Sequence, residues 1–308
     1  MDIRETVGRT PLFYLRRISR IRGCHIYVKY EAMNAAGSAA SRVSGPLVAE
    51  ALESGRLQRG GCIVEACMPN MAMALACECA QMDVRFMAVM PDDVNPALLP
   101  VLHTMGAEIM LTDAKMGFLG AMNKAEEMRK EIWTSCSLGM TDNSVAIQAH
   151  YRSTGPEIGE DCRILGMKPD VFVAAAGTGA TLMGAGRWLK EHFGTRLVSV
   201  KAADGERCLT GLEDVPSRLY REEADESLSV TVADAVQSAR RLLNIEAVCG
   251  GISTGACLHA ALQLSFRPEM EGGNIIIMGY DSGERYAHRH IFGRPSRDIL
   301  LNALPSRA

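Results

Sequence analysis

No apolar run in this 308-residue chain approaches the roughly 20 residues a helix needs to cross a bilayer. The opening residues, Met1-Asp2-Ile3-Arg4-Glu5, lack the apolar stretch of a secretory signal. Charge of one sign is not in excess either. A net charge of −3 argues against general attraction to nucleic acid or to an anionic membrane. The expected location is the cytoplasm, with neither membrane nor nucleic acid as a partner. Lysine is scarce: the chain has seven, Lys29, Lys115, Lys124, Lys130, Lys168, Lys190 and Lys201.

Cysteine is plentiful, but ten in a chain this long do not read as a disulfide framework, which belongs to short secreted sequences. Cys77 and Cys79 stand two apart on a predicted helix, about 200° around it, so they cannot chelate one ion together. Cys62 and Cys67 do not form a CxxC pair. His288 and His290 read as surface or partner-contact residues, and no metal site is expected.

Apolar runs alternate with helical patterns, which gives a doubly wound α/β architecture with mostly parallel sheet. The predicted strands are Cys24–Glu31, Cys62–Glu65, Val84–Met90, Glu108–Thr112, Val171–Ala176, Leu197–Ala202 and Asn274–Met278. The predicted helices are Ser41–Ser54, Met71–Met82, Pro96–Met105, Gly117–Lys130, Thr181–His192, Ala233–Leu243 and Thr254–Leu264. Gly177-Thr178-Gly179-Ala180-Thr181 falls between a strand and a helix, where backbone N–H groups and the helix dipole suit a phosphate. Such a turn also occurs for packing alone. Cys67, Met68 and Met71 have the right side chains for Cu(I), but methionines at helical spacing belong to a core.

Several motifs then occur in a fixed order. They are Thr6-Val7-Gly8-Arg9-Thr10-Pro11-Leu12, Tyr27-Val28-Lys29-Tyr30-Glu31, Asn34-Ala35-Ala36-Gly37-Ser38-Ala39-Ala40-Ser41-Arg42 and Ser153-Thr154-Gly155-Pro156-Glu157-Ile158. Gly177–Thr181, Gly251-Ile252-Ser253-Thr254-Gly255-Ala256 and Asp281-Ser282-Gly283-Glu284-Arg285-Tyr286 follow. Together they resemble the cysteine synthase family over nearly the whole chain. The stretch from Thr210-Gly211-Leu212 through Val215-Pro216 to Ser227-Leu228 resembles the B-type members.

The resemblance implies the type II fold of pyridoxal-phosphate enzymes, with two doubly wound α/β domains and a cleft between them. A smaller domain of residues 35–146 would be inserted in a larger one formed by 1–34 and 147–308. It implies a homodimer and a cofactor in the cleft, its phosphate on Gly177, Thr178, Gly179, Ala180 and Thr181. Asn70 matches the asparagine that reaches the ring hydroxyl, and Ser282 the serine facing the ring nitrogen. Their ordinary readings are an N-cap after Pro69 and a turn serine.

Measured against that pattern, the decisive residue is Ala40. It stands where relatives carry the Schiff-base lysine, and a methyl group can neither hold an aldehyde nor carry a proton. The loop that cradles the substrate carboxylate, Thr-Ser-Gly-Asn-Thr-Gly in relatives, reads Cys67-Met68-Pro69-Asn70-Met71-Ala72 here. Hydroxyls are gone, and Pro69 has no N–H to donate. A substrate-binding glutamine of the family falls at Met140. These replacements run toward apolar, adaptable side chains, which implies a cleft repacked as core or as an apolar pocket.

The leading expectation is therefore a pseudoenzyme: a non-catalytic homologue, homodimeric, with no covalent pyridoxal phosphate. Its role would be to bind a protein partner at the former cleft, or to pair with an active paralogue in a mixed dimer. One alternative is a pyridoxal-phosphate-dependent β-replacement enzyme acting on an activated serine, with its cofactor held non-covalently. Another is a sensor of a phosphorylated small molecule.

Overall fold

The computed structural model describes residues 2–20, 23–141, 143–203, 224–289 and 291–293. The stretch at Thr210-Gly211-Leu212 and Val215-Pro216, and His290, lie outside the described residues.

In chain order the strands are β1 (Leu12–Tyr14), β2 (His25–Tyr30), β3 (Cys62–Ala66), β4 (Arg85–Pro91), β5 (Ala107–Thr112), β6 (Ser135–Cys136), β7 (Val171–Ala175), β8 (Arg196–Ala202), β9 (Glu226–Val230) and β10 (Asn274–Gly279). The helices are α1 (Arg16–Ser19), α2 (Ser41–Glu53), α3 (Pro69–Met82), α4 (Leu98–Thr104), α5 (Gly117–Glu131), α6 (Val145–Arg152), α7 (Thr154–Ile164), α8 (Arg187–Phe193), α9 (Val232–Glu246) and α10 (Ile252–Leu264).

Two sheets organise the chain. One has six strands in the order β1-β2-β10-β7-β8-β9, the other four in the order β5-β4-β3-β6. Every pairing is parallel except β1 with β2. Strands β3 and β7 are buried at every position, as parallel strands covered on both faces must be. Beside the six-stranded sheet, Val173, Val198 and Ile275 pack with Leu258 and Ala261 of α10. Phe172, Ala174 and Ile276 pack with Trp188 and Leu189 of α8. In the smaller sheet Ile63 and Phe86 meet α2 and α3, while Val64 and Val89 meet α5.

Three strands escape the sequence pattern. β6 is two residues long, β1 three, and β9 has glutamate and two serines among its five residues. Two of the predicted helices differ from the fold in ways that bear on the site. The helix expected from Met71 starts at Pro69, which fits the first helical position because no N–H is needed there. Met68 is then the N-cap, so the N-cap reading of Asn70 is corrected. The helix expected over Thr181–His192 is interrupted by a π-helical turn at Leu182–Gly186. Helix α6 crosses that turn so closely that a Cβ on Gly184 would lie 2.4 Å from the Ile147 carbonyl oxygen.

Candidate functional site

The C-terminal ends of β3, β7 and β10 open toward a cavity of about 180 Å³. Ligands of open α/β sheets gather at such strand ends. One wall is the turn after β7, where Gly177 and Gly179 have φ of +36° and +84°. Side chains other than glycine rarely adopt that left-handed region. Met68, Met71, Phe118 and Met140 form much of the opposite wall. Ser38, Ala40, Ser253 and Tyr280 complete the lining used below.

Ala40 precedes α2 and lines this cavity. Asn70 and the whole Gly177–Thr181 turn face it as well. Three residues of the altered loop do not, Ala72 being fully buried in the core beside the smaller sheet. Cys67 is fully buried in the core beside the smaller sheet, and burial pushes its thiol well above the usual range. Pro69 borders a separate space of about 20 Å³. Ser282 also stands away from the lining, bridged to Gly250 and in contact with the Tyr30 phenol. The Ala180 methyl packs into the core of the smaller sheet.

No charged side chain lines the cavity among the described residues. All seven lysines lie among those residues, and none reaches it. Lys29 is 1% exposed and its ammonium is committed elsewhere. It donates to the Thr10 carbonyl at 2.6 Å and pairs with Glu157 and Asp161 at 3.2 Å each. Lys124, Lys130 and Lys190 pair with Glu127, Glu126 and Asp225. Lys115, Lys168 and Lys201 are exposed.

Polar groups around the cavity are mostly engaged. The Asn70 amide donates to Asp281 Oδ2 at 2.6 Å, and its carbonyl accepts from Arg285 Nη1 at 2.5 Å. Arg285 also donates to the Ala36 carbonyl at 2.5 Å. The Tyr286 hydroxyl donates to the same Asp281 oxygen at 2.5 Å. Burial raises the Asp281 carboxyl, and the donors from Tyr286 and Asn70 offset only part of that shift. Thr181 Oγ1 lies 3.3 Å from His150 Nε2, whose Nδ1 lies 2.9 Å from Thr154 Oγ1. Burial lowers His150 to about 4. Two atoms are exceptions: Ser38 Oγ, in the lining, and Asp281 Oδ1, beside it, are buried without a hydrogen-bond partner.

Behind the cavity a buried ion cluster fixes the start of α2. Arg42 donates to both oxygens of Glu31, at 2.5 and 2.8 Å, and to both of Glu157, at 2.8 and 2.7 Å. Thr10 donates to Glu31 at 2.6 Å. Arg42 and Glu31 are thereby held just after and just before the loop that carries Ala40.

Sequence reasoning missed Ser38, Ser253, Tyr280, Phe118, Asp281 and Arg285 as residues of this site or its border. Ser38, Ser253, Asp281 and Arg285 lie inside the quoted motifs, so position was the available signal. Phe118, on α5, offered none.

The chain matches the family model described as "Pyridoxal-phosphate dependent enzyme" over residues 3–280. It is 31% identical over 294 residues to a protein described as a probable cysteine synthase of Bacillus subtilis, covering 92% of this chain and 94% of that protein. It is 32% identical over 308 residues to cysteine synthase A of Escherichia coli, covering 93% and 94%. Among solved structures, an O-ureido-L-serine synthase mutant superposes with a TM-score of 0.89 at 30% identity, covering 100% and 99%. That mutant has a lysine changed to alanine and O-ureido-L-serine bound. The fold is the type II fold expected from the motifs, and the chain belongs to the cysteine synthase-like pyridoxal-phosphate dependent enzymes.

Proposed function

We propose that this chain is a non-catalytic member of its family that acts by binding. The observation that carries the reading is Ala40 at the cavity wall with every lysine placed elsewhere. Pyridoxal phosphate supplies an aldehyde and an electron sink to chemistry that a lysine amine anchors and assists. The residues present do not fit it as a covalent cofactor. No amine lines the wall, both ends of the Asn70 amide are occupied, and about 180 Å³ falls below the roughly 300–1,000 Å³ of ordinary ligand pockets. The substrate side is equally altered, with thioethers where a carboxylate needs donors, each unmet bond costing about 1–3 kcal/mol.

The face assigned to a protein partner is the cavity mouth. Phe118 lines the cavity, while Met116 and Leu119 beside it are 65% and 57% exposed. The partner is a second protein docking there, and the chain itself works as a homodimer or as a mixed dimer with an active paralogue.

A sensing role is favoured by one specific pair of features. The unpartnered Ser38 hydroxyl and the glycine turn share one cavity. Both suit the oxygens of a small phosphorylated ligand.

Steady-state assays with added pyridoxal phosphate, O-acetyl-L-serine and either sulfide or thiosulfate test the non-catalytic reading. The expected result is no cysteine or sulfocysteine above the protein-free control. Product formation proportional to protein concentration overturns it in favour of the β-replacement enzyme.

A further inference from the structure

A second recess lies away from the cavity, bounded by the turn at Ile3–Thr6, α2, α3 and α6. It measures about 830 Å³ and is open to solvent along one side. Val7, Pro46, Met82 and Val145 give it apolar walls. Glu78 of α3 also lines it, although the residue is only 5% exposed. Its Oε2 is buried with no hydrogen-bond partner. Oε1 faces the Ser44 hydroxyl at 3.5 Å, and the missing side chain of Gly45 makes room for it: a Cβ there would stand 3.1 Å away.

A buried carboxylate normally has a counter-charge, because desolvation without one is costly. No ion pair to Glu78 forms among the described residues, although the Arg4 charge acts on it from nearby and Arg152 also lines the recess. Arg4 is nearby, but its guanidinium is held on Asp2 by bonds of 3.0 and 2.5 Å. Arg42 borders the recess with its guanidinium turned to Glu31 and Glu157. No lysine lines it.

We infer that this recess binds an alkylammonium group carried on a short aliphatic stem, with Glu78 Oε2 as its counter-charge. An ammonium suits the geometry better than a guanidinium. It is a compact point charge that one free oxygen can satisfy, whereas a guanidinium fork calls for both. The apolar walls accept the methylene stem. The site is separate from the cavity at Ala40, so it stands or falls independently of the function proposed above.

The test is to titrate the full chain, ¹³C-labelled at glutamate carboxyls, with n-butylamine and with N-acetyl-lysine-N-methylamide. The expected result is a saturable shift of the Glu78 carboxyl signal. Glu78→Gln, checked for fold by circular dichroism, is expected to weaken binding at least tenfold by calorimetry. Tighter binding of the capped lysine identifies a side chain from another protein as the source, and tighter binding of butylamine a free amine. No shift in the native protein overturns the inference without reference to any variant. Unchanged affinity in Glu78→Gln overturns it too, as does binding that appears only in Arg4→Ala, which would make Arg4 the natural occupant.

Discussion

Arg285 donates a hydrogen bond to the side-chain carbonyl of Asn70 at 2.5 Å, and this contact fixes which way the Asn70 amide points. Its NH₂ end is left for Asp281. Asn70 is therefore a bridge between a cation and a buried acid, joining α3 to the segment after β10. Arg285 extends the link to Ala36, and Asn95 donates to the Arg285 carbonyl at 2.8 Å.

Asn70→Ala should therefore cost stability. It removes two hydrogen bonds to charged groups, each contributing about 1.5–3 kcal/mol. A loss of about 3–6 kcal/mol in urea unfolding is expected. A change within the noise of the measurement would mean the bridge does not persist in solution.

Ser38→Ala should have the opposite sign. An unpartnered buried hydroxyl contributes no bond to offset its desolvation, so its removal is expected to stabilise the free protein by about 1 kcal/mol. Thermal unfolding reads the change directly. A clear destabilisation would show that the hydroxyl has a partner.

Acid should unfold the chain in two overlapping windows. Burial, aided by the nearby Arg42 charge, lowers His150 from 6.5 to about 4, so the folded state excludes a proton that the unfolded state binds. That stability is complete above pH 6.5 and is lost as pH falls toward 4. Burial alone would raise Glu157, but hydrogen bonds and charge from Arg42 outweigh it and hold the carboxyl at about 2. Its contribution is complete above 4.5 and is lost as pH falls toward 2. In urea titrations, His150→Gln should flatten the upper window and leave the lower one. Equal slopes in both proteins would contradict the assignment.

Ala40→Lys alone should not produce synthase turnover. The new amine would face Met68, Met71 and Met140 rather than a set of donors for a substrate carboxylate. Assay of that variant with pyridoxal phosphate, O-acetyl-L-serine and sulfide checks this. Appreciable turnover would count against the repacked wall.

The sheet strands that were easiest to read from sequence are those buried on both faces. Val171–Ala175 shows as an apolar run because no position needs to meet water, and Cys62–Ala66 does so apart from Glu65, which is buried on hydrogen bonds from Ser137, Leu138 and Met140. β9 did not show, because Ser227 and Ser229 face outward at a sheet edge and Glu226, on the other face, is paired with Arg196 and Arg267. At the site, the position of Ala40 was legible from the frame around it. The commitment of Asn70 was not, since Asp281 and Arg285 are more than 200 residues distant and only the fold brings them together. Cys67 was grouped with Met68 and Met71 by its place in a motif. It turns into the core instead, because the last residues of β3 are covered on both faces.

Reductive trapping examines the missing amine most directly. The native protein is incubated with pyridoxal phosphate, its visible spectrum recorded, borohydride added, and the digest mapped by mass spectrometry. The expected outcome is no protein-specific band and no lysine labelled beyond the scatter of exposed surface amines. A band that becomes fixed at one equivalent on a single lysine would contradict a site without its anchoring group.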